Sequence, residues 1–216
     1  MGSVAAGIAT AQIIDWNPSL IILVGIMGGV KGDERHLGDL IVAEQIVGYE
    51  AGKITNAGAE RDFKVFHSSH ALVEATRHFP TEKWVSALTI SRPVGSGGKF
   101  KSLMESVWRF FYPHPNRKDR QLAPNIHWGV VASGEKVIAD DKTLSELQKH
   151  WPKLVGIEME GYGVAHAIYT AESRPEFFMV QSICDWANLD KNDEWQAYAA
   201  DVAAVFVVNL LRSKPL

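Results

Sequence analysis

Hydrophobic positions in this chain fall into short runs separated by turn residues, and the runs are of two kinds. Met1–Trp16 carries Val4, Ala5, Ile8, Ala9, Ile13 and Ile14 at helical spacing, and Asn17-Pro18 ends it. Leu20–Ile26 is a continuous apolar run leading to Gly28-Gly29, the pattern of a strand buried on both faces. Leu40–Val47 predicts another strand, and Ser69–His78 a short helix closed by Pro80. Trp84–Ile90 fits either a strand or the end of a helix. Further along, Ile126–Ala132 reads as a strand running into Ser133-Gly134, and Leu144–Trp151 as a short amphipathic helix. Val155–Ile157 reads as a short strand, Glu160–Thr170 as a small-residue-rich helix able to pack close to a sheet, and Phe177–Ile183 as a buried strand. Asp193 stands where an N-cap would begin a last helix from Glu194 to about Leu211, with Trp195, Tyr198, Val202, Val205, Phe206 and Leu210 on its inner side.

Strands alternating with helices predict an α/β layered domain. With 216 residues and 46% hydrophobic content, one core and one domain over 1–216 are expected. The net charge of −3 makes no electrostatic case for nucleic acid or an anionic membrane as partner. The one cysteine, Cys184, cannot form an internal disulfide and fits a reducing, cytoplasmic setting. Met1–Ala11 lacks the basic start of a signal peptide, and Ile21–Ile26 is too short to span a bilayer, so a soluble intracellular protein is expected.

Residues Arg92–Arg120 break the pattern. They hold seven basic residues against two acidic ones, with Trp108, Phe110, Phe111 and Tyr112 among them. This predicts a basic loop insertion, either a surface excursion whose aromatics pack on the domain or a lid that binds anions. Gly95–Lys101 is not a phosphate loop: Pro93 stands where its first glycine belongs, and Phe100 follows Lys99. His67 and His70 have no third ligand at metal-binding spacing, so no metal is expected. Ser133-Gly134 lacks the glycines of a nucleophile elbow.

Three carboxylates remain at strand ends or helix starts: Glu158, Glu160 and Asp185. Ligands of open α/β sheets bind beyond the carboxyl ends of strands, and two carboxyls in unlike environments can divide acid and binding roles. Capping of helices and turns would account for the same residues.

The order of blocks narrows the choice. MGSVAAGIATA, IILVGIMGGV, LGDLIVA, HWGVVASGEKVI, VGIEMEGYGVA, SICDWAN and EWQAYAADVAA follow one another along the chain. In that order they resemble the nucleoside phosphorylase/nucleosidase superfamily, most closely its methylthioadenosine/S-adenosylhomocysteine nucleosidase branch, in the wording found in N-terminal modules of signalling proteins. The resemblance implies a three-layer fold with a mixed central sheet between helices. It also implies that the chain begins at the helix that follows the family's first strands, without their central strand or water-activating acidic residue.

By position, the resemblance makes Asp185 the acid that protonates the purine, at N7. Glu160 would hold the ribose hydroxyls, Met159 would pack on the sugar and Glu158 would line the same pocket. Val137 and Ile138 would offer backbone groups to the base, and Met27 and Gly28 would lie against the nucleoside. No cofactor is implied; the partner is a purine nucleoside or nucleotide, and a homodimer is implied. Ile26 stands where phosphorylases place a serine, and LIILV lacks their arginine, which favours water over phosphate as nucleophile. Cys184 and Asn188 replace the family's serine and second aspartate. Hydrolysis of an adenosine-like nucleoside is therefore expected, with phosphorolysis and a nucleotide-sensing or ATP-cleaving module as alternatives.

Overall fold

The computed structural model describes residues 2–32, 34–55, 58–93, 123–136, 138, 141–187 and 193–215. In chain order these residues form α1 (Ser3–Ile14), β1 (Leu20–Gly29), β2 (Leu40–Gly48), β3 (Gly52–Thr55), β4 (Gly58–Arg61), β5 (Lys64–His67), α2 (His70–Arg77), α3 (Glu82–Val85), β6 (Ile126–Ser133), α4 (Asp141–His150), β7 (Leu154–Glu158), α5 (Gly161–Thr170), β8 (Glu176–Trp186) and α6 (Gln196–Arg212).

Six strands form one mixed sheet in the order β5-β2-β6-β7-β1-β8, while β3 and β4 make a separate hairpin. β1 runs parallel to β8 along its length but meets β7, antiparallel, only at Gly28 and Gly29. β2 pairs with β6 in parallel, and its residues 40–42 also pair antiparallel with 180–182 of β8, so the sheet curls until its far strands meet. Helices cover both faces. Under α1 and α5 lie Ile41, Ile46, Phe177, Met179 and Ile183. Under α2, α3 and α6 lie Leu40, Phe178 and Val180, packed with Trp84 of α3 and Phe206 of α6. α4 closes a smaller cluster through Leu147, against Leu154 and Ile157. The expected layered α/β fold with a mixed central sheet is what forms.

Some expectations need correction. Leu20–Ile26 is not buried on both faces: Val24 is 38% exposed. Both β2 and β8 are buried almost end to end, β8 although its second edge meets β2 only at residues 180–182. In α1 Val4 and Ile8 turn outward, 69% and 60% exposed, while Ser3, Ala6 and Thr10 face in and Ile14 packs on the core at the helix end. The reason is a very close approach of α1 to α5: a Cβ on Gly163 would lie 1.8 Å from the Ser3 carbonyl oxygen, so only small side chains fit between the helices. Asn17, at φ 52°, takes the left-handed conformation that stops α1.

Trp84 belongs to a single helical turn, not a strand. Its fully buried ring meets Phe206 edge-on at 5.3 Å. The last helix begins two residues later than read, at Gln196, and Trp195, not Asp193, is its N-cap. Asp193 instead accepts the Gln196 N–H through its carbonyl and the Gln196 amide through its carboxylate. β3, β4 and β5 were not foreseen: GKIT, GAER and KVFH are short and largely polar, and backbone pairing alone reveals them. The Arg92–Arg120 insertion lies outside the described residues beyond residue 93. Among the described residues no helix is long and apolar enough to cross a membrane.

Candidate active site

The ends of three strands meet in one place because of their register. Gly28 of β1 is paired with Ile157 of β7 on one side and with Asp185 of β8 on the other. A Cβ at Gly28 would sit 3.2 Å from Asp185 Oδ1 and 3.4 Å from the Ala187 methyl, so glycine is what lets the strand end approach the carboxyl. Between β1 and β8 the register slips at this point: Met27 faces Ile183 and Gly28 faces Asp185, leaving Cys184 as the extra residue of a bulge. Consecutive residues of a regular strand point to opposite faces. The bulge re-aims them, and both Cys184 and Asp185 line the same cleft.

That cleft has a volume of about 150 Å³. Its walls include Ile26, Met27 and Gly28 from β1, the run Ile157–Glu160, and Cys184 with Asp185. The sites inferred from sequence at Asp185, Glu160, Met159, Glu158, Ile138, Met27 and Gly28 therefore all fall on one surface. Val137 and Asn188 lie outside the described residues. Lys136, Gln196 and Ala187 also line the cleft and were not foreseen. Lys136 could have been suspected from its place beside Val137. Gln196 comes from the far end of the fold, through the start of α6, and nothing in its local sequence marks it.

Asp185 is buried, and the Cys184 thiol lies 3.5 Å from its Oδ2 and 3.4 Å from the Met27 carbonyl oxygen. Glu158 is also buried. Its Oε2 accepts the N–H groups of Glu160 at 2.9 Å and Gly161 at 2.8 Å. Burial pushes the Glu158 carboxyl up from its ordinary value, against the pull of the Ser133 hydroxyl and those two N–H groups. Ser133, its neighbour across the β6–β7 pairing, accepts the Tyr162 N–H at 2.7 Å. Glu160 is half-buried at the start of α5, and burial raises its carboxyl too. Lys136 is largely exposed and lies 3.6 Å from Glu50. The cleft thus combines a buried acid, a second carboxyl at a helix start, and apolar walls from Ile26, Met27 and Met159. That set can bind an uncharged ring, hold hydroxyls and move one proton.

A family model described as the Phosphorylase superfamily matches residues 1–212. The chain is 28% identical over 211 residues to the uncharacterized protein y4jS of Sinorhizobium fredii, a match covering 96% of this chain and 46% of the relative. It is 26% identical over 222 residues to a death domain-containing ATP nucleosidase of Amphimedon queenslandica, covering 97% of this chain and 37% of that protein. The chain thus spans less than half the length of these two relatives. A 5′-methylthioadenosine/S-adenosylhomocysteine nucleosidase of Shewanella sediminis is 25% identical over 224 residues, covering 98% of this chain and 77% of the relative. Among solved structures, the nucleosidase of the same description from Neisseria meningitidis, in complex with methylthio-immucillin-A, superimposes with a TM-score of 0.67. That match is 20% identical in sequence and covers 99% of this chain and 78% of that one.

Proposed function

This chain belongs to the Phosphorylase superfamily, and on that premise we propose that it hydrolyses the N-glycosidic bond of a purine nucleoside, with Asp185 as the acid. The observation that carries this reading is the meeting of Asp185 and Glu160 on one cleft, through the bulge at Cys184. The nucleosidases among its relatives support the reaction class.

In this mechanism the Asp185 carboxyl gives its proton to purine N7, so the C1′–N9 bond breaks with its electron pair leaving on a neutral base. The positive charge left on C1′ and the ring oxygen is stabilised by the Glu160 carboxylate, which also accepts hydrogen bonds from the ribose hydroxyls. Met159 packs on the sugar, and Met27 and Gly28 lie against the nucleoside. Val137 and Ile138 offer backbone groups to the base, and Glu158 closes the pocket behind Glu160. Water then adds to C1′ and releases a proton. Ile26 supports water over phosphate here, since its sec-butyl side chain offers phosphate no donor. We further read residues 1–216 as one domain, working as a homodimer in the cytoplasm.

A nucleotide substrate is the second reading. It is favoured by the ATP nucleosidase relative and by the seven basic residues within 92–120. Adenine release from adenosine, methylthioadenosine and ATP, each with and without phosphate, separates the readings. Release from the two nucleosides without phosphate is expected. Release from ATP alone would move the substrate to nucleotides, and a strict need for phosphate would replace hydrolysis by phosphorolysis. Asp185→Asn is expected to lower kcat by roughly 10²–10⁴-fold, the usual contribution of a positioned acid; undiminished turnover would remove Asp185 from that role.

A further inference from the structure

The bulge that brings Asp185 to the cleft has to be held in place. A strand with one extra residue gives up regular pairing there, and it slides back into register when its flanks are free to move. On the β1 side, Asp185 is paired with Gly28, and the Ala187 N–H donates to the Gly29 carbonyl at 3.1 Å. On the other side Ile183, the last residue before the bulge, is gripped by the turn that leads into β2. The Gly38 N–H donates to the Ile183 carbonyl at 2.8 Å, and the Ile183 N–H donates to the Asp39 carbonyl at 2.9 Å.

That turn is tightly fixed. Gly38 takes φ 87°, and a Cβ there would lie 2.5 Å from the Tyr198 ring, so glycine serves both the conformation and the close packing on α6. The Arg92 guanidinium lies over the Trp195 ring and donates to the Leu37 carbonyl at 2.9 Å. Asp39 is 1% exposed, and its carboxyl makes three hydrogen bonds. It accepts the N–H groups of His36 at 2.9 Å and Asn125 at 3.0 Å, and it meets His127 Nε2 at 2.9 Å. The first closes the turn, and the other two tie it to the start of β6. None of Asp39, His36, Asn125 and His127 lines the cleft.

We infer that Asp39 is a positioning residue for Asp185. Its carboxyl fixes the turn, the turn pins Ile183, and the pinned Ile183 keeps Cys184 as the extra residue of the bulge with Asp185 on the cleft. The consequence for turnover rests on the reading of Asp185 as the acid; the hold on the bulge does not. Without the Asp39 carboxyl the turn opens, β8 is released along that edge, and Cys184 and Asp185 leave their places beside Met27 and Gly28.

Cys184 is the one cysteine of the chain and is buried at the bulge, so the rate at which a maleimide labels its thiol in the native protein reports release of the bulge without any substrate. The rate is compared in the full chain for the wild type, Asp39→Ala, Asp39→Asn and Leu72→Ala. The last is a destabilising change in the core under α2, far from the turn in the fold. Asp39→Ala is expected to speed labelling about tenfold, as loss of hydrogen bonds to a charged group does, and Leu72→Ala to speed it far less at an equal or larger fall in Tm. Asp39→Asn keeps an oxygen for one of the two N–H groups and is expected to fall between wild type and Asp39→Ala. For adenine release from adenosine, kcat should drop in the order in which labelling rises, with KM nearly unchanged. A wild-type labelling rate in Asp39→Ala, or an equal rise in Leu72→Ala, would overturn the inference. Faster labelling with undiminished kcat upholds the hold on the bulge and removes Asp185 as the acid, so the two failures are told apart. Should Asp39→Ala not fold, His127→Ala removes a single tie and is expected to give a smaller rise in labelling; no rise there would count against the inference.

Discussion

Two helices in this protein begin side by side, and each has its first turn capped by a glutamate that lies outside the helix. At α5 the cap is Glu158, buried, with its carboxyl raised by desolvation. At α1 it is Glu135, exposed, which accepts from the Ser3 hydroxyl and from the Val4 N–H at 3.1 Å. Its carboxyl is lowered, chiefly by the Ser3 hydrogen bond. Two carboxyls in the same capping role are therefore shifted in opposite directions. Hydrogen bonding favours the charged form in both, and burial outweighs it at one. The exposed cap ties down a helix end. The buried cap does so beneath the cleft, where a carboxyl with a raised pKa sits against a second one, Glu160.

The largest expected effect breaks the contact between the two helix starts. Gly163→Ala would press a methyl into the Ser3 carbonyl. Overpacking of this kind costs about 1–3 kcal/mol or more, and here backbone would have to move; a clear fall in Tm is expected, and an unchanged Tm would mean the helices separate freely. Glu158→Ala comes next: two buried N–H groups lose their acceptor, at a cost of about 1–3 kcal/mol measured by denaturant unfolding.

The pH dependence follows, with the sign set by burial. For Glu158 the native carboxyl binds protons more tightly than the unfolded one. Its contribution is present in acid and is lost as pH rises from its ordinary value of 4.5 through the raised native value. Glu158→Gln should remove that decline, so its Tm should gain on the wild type as pH rises through this window. Glu135 behaves in the opposite way. Its contribution is present above 4.5 and is lost as pH falls through the lowered native value. Glu135→Gln should therefore cost a little Tm near neutrality and nothing in acid. This is the smallest effect of the series, because an exposed pair is screened by solvent. Slopes of the same sign for the two variants would dissolve the comparison.

The strong apolar runs were legible because burial between layers demands them: β2, β6, β7 and β8 fall where continuous hydrophobic stretches stand. β3, β4 and β5 were not legible, since main-chain pairing defines them and leaves little trace in residue type. The inner face of α1 is likewise not marked by large apolar residues. A close helix–helix approach selects small residues, so the large apolar positions that usually mark the buried side point outward. The ordered blocks around Glu158–Glu160 and Asp185 singled out the cleft residues before any geometry was known, but not Lys136 or Gln196, which reach it from other parts of the fold.

By itself, the sequence determined the layered α/β class, the family and the three carboxyls, because hydrophobic runs and motif order are local properties of the chain. Only the tertiary structure decided how those carboxyls differ. The slipped register at Cys184 turns Asp185 into the cleft, and the Ser133–Glu158 pair takes the α5 N–H groups beside Glu160. Register, burial and shared hydrogen-bond donors are relations between distant segments, and no residue carries them alone.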